Sequence, residues 1–162
     1  MENHIKIRKA VLRDADAIWQ LIRELAIYER AENEHTLSRE QLAKDLEEEK
    51  FTAFVAESAD KIVAMAICYA IYSTWKGSSI YLEDIVVNES YRRKGIGSKL
   101  FEAVKQFAKA ENAGRLGWQV LNWNIPAIQF YKKHNAVLDD EWINCKMTRE
   151  HLQTLTLANE SL

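Results

Sequence analysis

The stretch YRRKGIGSKL, residues 91–100, holds two of the five glycines of a 162-residue chain, Gly95 and Gly97, among the cations Arg92, Arg93, Lys94 and Lys99. Before it stands the apolar run Ile85, Val86 and Val87; after it Leu100, Val104, Phe107 and Ala108 recur at helical spacing. The stretch therefore joins a strand to a helix through a glycine turn. Such a junction gathers the unpaired N–H groups of a helix's first turn and the positive end of its dipole at one point, where phosphate binds. Glycine lets the main chain approach a ligand with no Cβ in the way, and Arg92, Arg93 and Lys94 offer charge-assisted bonds. A solvated turn with incidental cations fits the local pattern as well. Two nucleotide motifs are excluded: G-x-x-x-x-G-K-[ST] is absent, and Leu100 stands where G-x-G-x-x-G needs its third glycine.

Upstream, residues 5–10 (IKIRKA) alternate as a strand does. Asp14 is then expected to cap a helix whose apolar face is Ile18, Leu21, Ile22 and Leu25. A second helix is expected from Ser38, with Glu40 and Gln41 in its first turn, through Leu42 and Leu46. Residues 51–58 (FTAFVAES) and 61–72 (KIVAMAICYAIY) read as a hairpin about the polar turn at Ala59, Asp60 and Lys61, and 78–87 (SSIYLEDIVV) as the third strand of a meander. Downstream, the glycine-led helix ends near 112–114. A strand follows at 115–121 (RLGWQVL), then a helix from about Pro126 to His134 and a last strand at 142–147 (WINCKM). The order β-α-α-β-β-β-α-β-α-β predicts an α/β sandwich around a mixed sheet. With no repeat, low-complexity tract or Pro/Gly/Ser linker, residues 1–162 are expected to form one domain of a size that buries about 70% of its extended surface.

Lys and Arg number 22 against 24 Asp and Glu, a net charge of -2, so nothing in the balance asks for nucleic acid or an anionic membrane surface. No apolar run approaches the roughly 18 residues of a membrane span, and MENHIKIRKA lacks the apolar core of a signal peptide. Cys68 and Cys145 stand singly in apolar contexts, which predicts buried free thiols in a cytoplasmic protein. His4, His35, His134 and His151 have no metal-ligand spacing with each other or with the cysteines, so no metal is expected.

Arg92, Gly95 and Gly97, in the pattern R-x-x-G-x-G between strand and helix, resemble the acetyl-CoA pyrophosphate loop of the GNAT N-acetyltransferase superfamily. Residues 21–29 (LIRELAIYE), 71–77 (IYSTWKG), 80–87 (IYLEDIVV), 91–99 (YRRKGIGSK) and 122–133 (NWNIPAIQFYKK) are similar, in order, to blocks of the diamine acetyltransferases, which include spermidine/spermine and thialysine acetyltransferases. The resemblance implies a GNAT fold: a mixed, mostly antiparallel sheet flanked by helices, with two splayed central parallel strands that seat the pantetheine arm. It also implies a homodimer that uses acetyl-CoA as co-substrate and acetylates a small-molecule amine.

Glu83 and Asp84 are adjacent carboxylates in a strand that otherwise reads as buried, and an uninterrupted strand sends neighbours to opposite faces. By their residues alone they suit either a cleft or a solvated edge. By resemblance, Glu83 draws the proton from the acceptor amine through water, and Asp84 lies near that amine. Backbone N–H groups of Ile85 and Val87 hold the acetyl carbonyl and pantetheine. The loop Arg92, Arg93, Lys94, Gly95, Ile96, Gly97 and Ser98 grips the pyrophosphate. Asn124 fixes pantetheine, and Tyr131 protonates the departing thiolate. Tyr131 equally suits core packing, since it shares a helical face with Ala127 and Ile128. Lys132 and Lys133 suit either a solvated helix face or the CoA phosphates. Where the family commonly carries glycine after the last helix this chain has Asn135, which tolerates the left-handed conformation such an end needs.

Tyr28 and Glu29 match positions that line the family's amine pocket, and Trp75 offers an aromatic face to a cationic chain. Ser73 stands where the polyamine branch carries an acidic residue, so the resemblance is nearer to the thialysine branch. Thialysine, a lysine-like amino acid or a diamine is the expected acceptor. A protein amine as acceptor, and a CoA-binding module without catalysis, remain alternatives at this stage.

Overall fold

The computed structural model describes residues 4–154 and divides after Gln119 into two compact units. The first unit is built on a five-stranded sheet of order β1-β2-β3-β4-β5: β1 (Lys6–Lys9), β2 (Thr52–Ser58), β3 (Lys61–Ser73), β4 (Gly77–Val87) and β5 (Leu116–Gly117). β1 to β4 pair antiparallel, and β5 joins β4 in parallel. Helices α1 (Ala15–Tyr28) and α2 (Arg39–Glu47) precede β2, and α3 (Ile96–Ala110) connects β4 to β5.

The side-chain period of two gives the sheet two apolar faces. Val55, Met65, Ile67 and Val86 face α1 and α2, where Ile18, Leu21 and Leu42 complete a core. Ile18 and Leu21 lie on the helical stripe read from the sequence, and burying each contributes about 2 kcal/mol. On the opposite face α3 buries Ile96, Leu100, Phe101, Val104 and Ala108, with Phe107 edge-on to Phe54 at 5.8 Å.

The β2–β3 hairpin turns through Ala59 (φ 47°) and Asp60 (φ 62°), between Ser58 and its register partner Lys61. Two left-handed central residues make a type I′ turn, whose twist suits antiparallel strands although neither residue is glycine. Ser38 caps α2 as expected, accepting the Gln41 N–H at 3.1 Å.

Asp14 departs from its expected role. It precedes α1 but makes no cap bond; its carboxylate is buried and accepts from Arg8 at 2.6 and 2.9 Å and from the Val11 N–H at 2.9 Å. A guanidinium is a stronger partner than a helix N–H, so the half-buried Arg8 takes the carboxylate.

The second unit, from Val120, holds α4 (Ile125–Lys133) and α5 (Arg149–Gln153). Asn124 caps α4 by accepting the Ala127 N–H at 3.3 Å, Pro126 sits in the first turn, and Asn135 takes φ 59° just past its end. The strand expected at 142–147 does not form. Trp142, Ile143 and Met147 are exposed, and an apolar pattern becomes a strand only where a neighbouring backbone receives its N–H and C=O groups. Residues 115–121 shrink to Leu116–Gly117 for the same reason. The parallel pair β4/β5 consequently lies at one side of the described sheet. Cys68 is buried, and Cys145, on the strandless segment, is exposed instead of buried.

Candidate active site

The ladder between β3 and β4 slips once. Ile67 pairs with Asp84 and Cys68 with Leu82, leaving Glu83 as an extra residue. A bulge of this kind breaks the alternation of faces. Asp84 shares the face of Ile67 and, through the pairs Met65–Val86 and Tyr69–Tyr81, that of the α1-facing core. Glu83 reaches the same face, because its Oε2 accepts the Tyr69 hydroxyl at 2.6 Å. The two carboxylates that an uninterrupted strand would separate are therefore neighbours. Tyr81 stands beside Tyr69, at 5.6 Å between ring centres.

Their electrostatics reflect the crowding. Burial, then the charges of Glu83 and Glu29, push Asp84 up to about 7. Glu29, just past the end of α1, is itself raised by burial. The Tyr69 hydroxyl is raised by burial and by its bond to Glu83, and Tyr81 by burial and the charges of Glu83 and Asp84. Glu29, Glu83 and Asp84 thus form one acidic constellation on the α1 side of the sheet.

The bulge also re-aims the backbone. Ile80 donates to the Arg115 carbonyl at 2.9 Å, so its amide points toward β5. Antiparallel pairing alternates this direction, and the extra residue shifts the alternation by one. The N–H groups of Ile85 and Val87 accordingly point away from β3, past the last β4–β5 pair at Tyr81–Gly117. The Val87 carbonyl, aimed the same way, accepts Arg92 Nε at 3.0 Å.

After β4, Asn88 accepts the Ser90 N–H and donates to the Glu24 carboxylate of α1 at 3.1 and 3.3 Å. The Arg92 guanidinium lies 5.3 Å over the Tyr28 ring, tying the end of α1 to the loop. Lys94 bonds the Ser90 carbonyl at 3.1 Å and lies over Tyr91. Arg93 (φ 61°) and Gly95 (φ 76°) are both left-handed. Gly95 caps α3 with no side chain, and a Cβ there would meet open space, so backbone conformation and not crowding calls for glycine. The first intrahelical bond runs from Lys99 N to Gly95 O; the N–H groups of Ile96 and Gly97 precede it and point out of the helix end.

In the second unit Tyr131 is buried, with its ring 5.3 Å from that of Phe130, and Asn124 is buried at the start of α4. Lys132 and Lys133 occupy the last turn of α4. Trp75 stands at the β3–β4 hairpin tip, 81% exposed, about 20 Å of strand from Glu83. The chain does not bring it to the acidic constellation. A cleft of about 680 Å³ lies elsewhere, among Arg8, Asp14, Gln20, Glu57, Lys61 and Asn88, where Arg8 is already committed to Asp14 and Glu57. Sequence reading missed Tyr69, whose place in an apolar strand looked like core; only the register of the bulge shows which carboxylate it meets.

A model of the acetyltransferase (GNAT) family matches residues 15–136. The chain belongs to that family. It is an acetyltransferase of the GNAT family, whose members use acetyl-CoA as co-substrate. A thialysine N-epsilon-acetyltransferase of Bos taurus is 38% identical over 142 residues, 82% of this chain and 84% of its own. An L-ornithine N5-acetyltransferase of Arabidopsis thaliana is 42% identical over 79 residues, which span 49% of this chain and 35% of the plant protein. Among solved structures, an aminoglycoside acetyltransferase from an uncultured soil metagenomic sample superimposes with a TM-score of 0.77 at 26% identity, over 91% of this chain and 97% of its own. No helix of the described residues is long and apolar enough to cross a membrane.

Proposed function

We propose that this GNAT acetyltransferase acts on the primary amine of a small cationic substrate, with thialysine or another lysine-like amino acid ahead of a diamine. The observation that carries the reading is the bulge at Glu83, which sets Glu83 and Asp84 on one face in the company of Glu29. An alkylammonium has a pKa of about 10.4, so near neutrality roughly one molecule in a few thousand carries a free lone pair, a cost of about 4 to 5 kcal/mol. Glu83 removes that proton through water, while Asp84 and Glu29 attract the cation. Such a cation would in turn favour the ionised form of Asp84.

Bound acetyl-CoA supplies the thioester that is attacked. The residues fit such a co-substrate: the helix start at Gly95, Ile96, Gly97 and Ser98, with Arg93 and Lys94, suits a diphosphate, and the redirected N–H groups of Ile85 and Val87 suit a carbonyl oxygen and an amide arm. Arg92 supports the loop through Val87 and Tyr28. Asn124 orients the pantetheine arm, Lys133 adds charge for the phosphates, and Tyr131 delivers the proton that the leaving thiolate takes up. Ser73 at the hairpin tip, a neutral residue, supports a short acceptor over a long polycation.

Both units are read as one catalytic domain of a cytoplasmic homodimer. The test is CoA release with thialysine, lysine, ornithine, putrescine and spermidine, repeated with Tyr131→Phe. Turnover greatest with the short amino acids, and greatly reduced in the variant at unchanged CoA affinity, is expected. No turnover of any of these amines would overturn the reading.

A further inference from the structure

Three carboxyl groups share the α1-facing end of β4, and a base can act only while it is unprotonated. Glu83 and Asp84 are sequence neighbours turned to one face, and Glu29 acts on Asp84 from the end of α1. Burial and the charges of Glu83 and Glu29 raise Asp84, so Asp84 holds a proton toward neutrality. The titratable groups facing Glu83 are Tyr69 from β3 and Tyr81 and Asp84 from β4, with Glu29 beyond Asp84.

The structure distinguishes the two strand carboxylates by one contact. The Tyr69 hydroxyl donates to Glu83 Oε2 at 2.6 Å, within the range of a charge-assisted O–H···O⁻ bond. Tyr69 itself is fixed by its pairing with Tyr81, ring against ring at 5.6 Å, so the donor has one direction. Glu83 needs such a latch because, as the extra residue of the bulge, it has no cross-strand partner.

We propose, building on the function proposed above, that Tyr69 is a positioning residue: its hydroxyl holds the Glu83 carboxylate, carried by the extra residue of the bulge, aimed on the face where Asp84 and Glu29 gather. That hydroxyl is itself shifted upward, by burial first, and so stays a donor across the working range.

Carbon-13 NMR of the side-chain carboxyls of the unliganded full chain, at one neutral pH, tests the contact without reference to turnover: Tyr69→Phe, which keeps the ring against Tyr81, shifts the Glu83 carboxyl signal. With a turned-over amine, Tyr69→Phe lowers kcat by about tenfold while KM for acetyl-CoA is unchanged, and in a Glu83→Gln background it has no further effect. A Glu83 carboxyl signal superimposable in wild type and a folded Tyr69→Phe, or an equal fold-loss in both backgrounds, would overturn the inference. Full turnover by Glu83→Gln would overturn Glu83 as the base of the proposed function, and the carboxyl spectra would still decide the part of Tyr69.

Discussion

Asp84→Asn converts the most strongly perturbed carboxyl into a neutral isostere, and its consequence for stability can be worked out. The folded chain holds Asp84 at about 7 against an ordinary 3.8, because burial and the charges of Glu83 and Glu29 oppose its ionisation. A raised acid binds its proton more tightly when folded. Its contribution to stability is therefore greatest below 3.8, is lost as the pH rises toward 7, and is constant above that. Three pH units at 1.36 kcal/mol each set a ceiling of about 4 kcal/mol; water reaching a half-buried group reduces this by roughly half. Asp84→Asn is then expected to be more stable than the wild type by about 2 kcal/mol at pH 8 and by about 1 kcal/mol at pH 5. Urea unfolding followed by tryptophan fluorescence measures both values, and the pH 8 gain corresponds to a rise in Tm of about 4 to 8 °C. Equal stability at pH 8, or a gain that does not shrink at pH 5, would refute the reasoning. The same variant is expected to raise KM for the amine, the usual exchange of stability for a charged site.

Gly95→Ala puts a Cβ into open space but at φ 76°, so it costs about 1 kcal/mol of strain by urea unfolding and weakens acetyl-CoA binding in a calorimetric titration. Gly114→Ala is expected to cost more, about 2 kcal/mol or above, because its Cβ would overlap the Lys76 carbonyl and push on the β3–β4 hairpin. Replacing the left-handed pair Ala59-Asp60 by Asn-Gly relieves the type I′ turn and raises stability by about 1 kcal/mol in the same assay. Arg8 holds the Asp14 carboxyl below its ordinary 3.8, a contribution present above that value and lost as the pH falls through the depressed one. Asp14→Asn therefore costs about 3 kcal/mol at pH 7, a difference that narrows under acid.

Elements with strong local signals were legible in the sequence. The helical stripes of α1 and α3, the Ser38 cap, the left-handed Asn135 and the glycine-led junction at 95–97 all depend on contacts within a few residues. What escaped depends on partners distant in the chain. Asp14 has a good cap identity, yet Arg8 takes its carboxylate, and the segment 142–147 has a strand's apolar pattern without a backbone beside it. The acidic pair was visible as residue types. Its common face was not, since one slip of register between Ile67 and Cys68 decides it, and no composition or period reports a slip. Tyr69 was hidden for the same reason.

That slip carries a consequence for how β4 can be altered. Side-chain exchange at 83 changes which chemistry the position offers but leaves the parity of the strand intact. Deleting a single residue there would restore an unbroken ladder, swing one acid toward α3 and return the amides that follow to β3, so activity depends on the strand's residue count as well as on its letters.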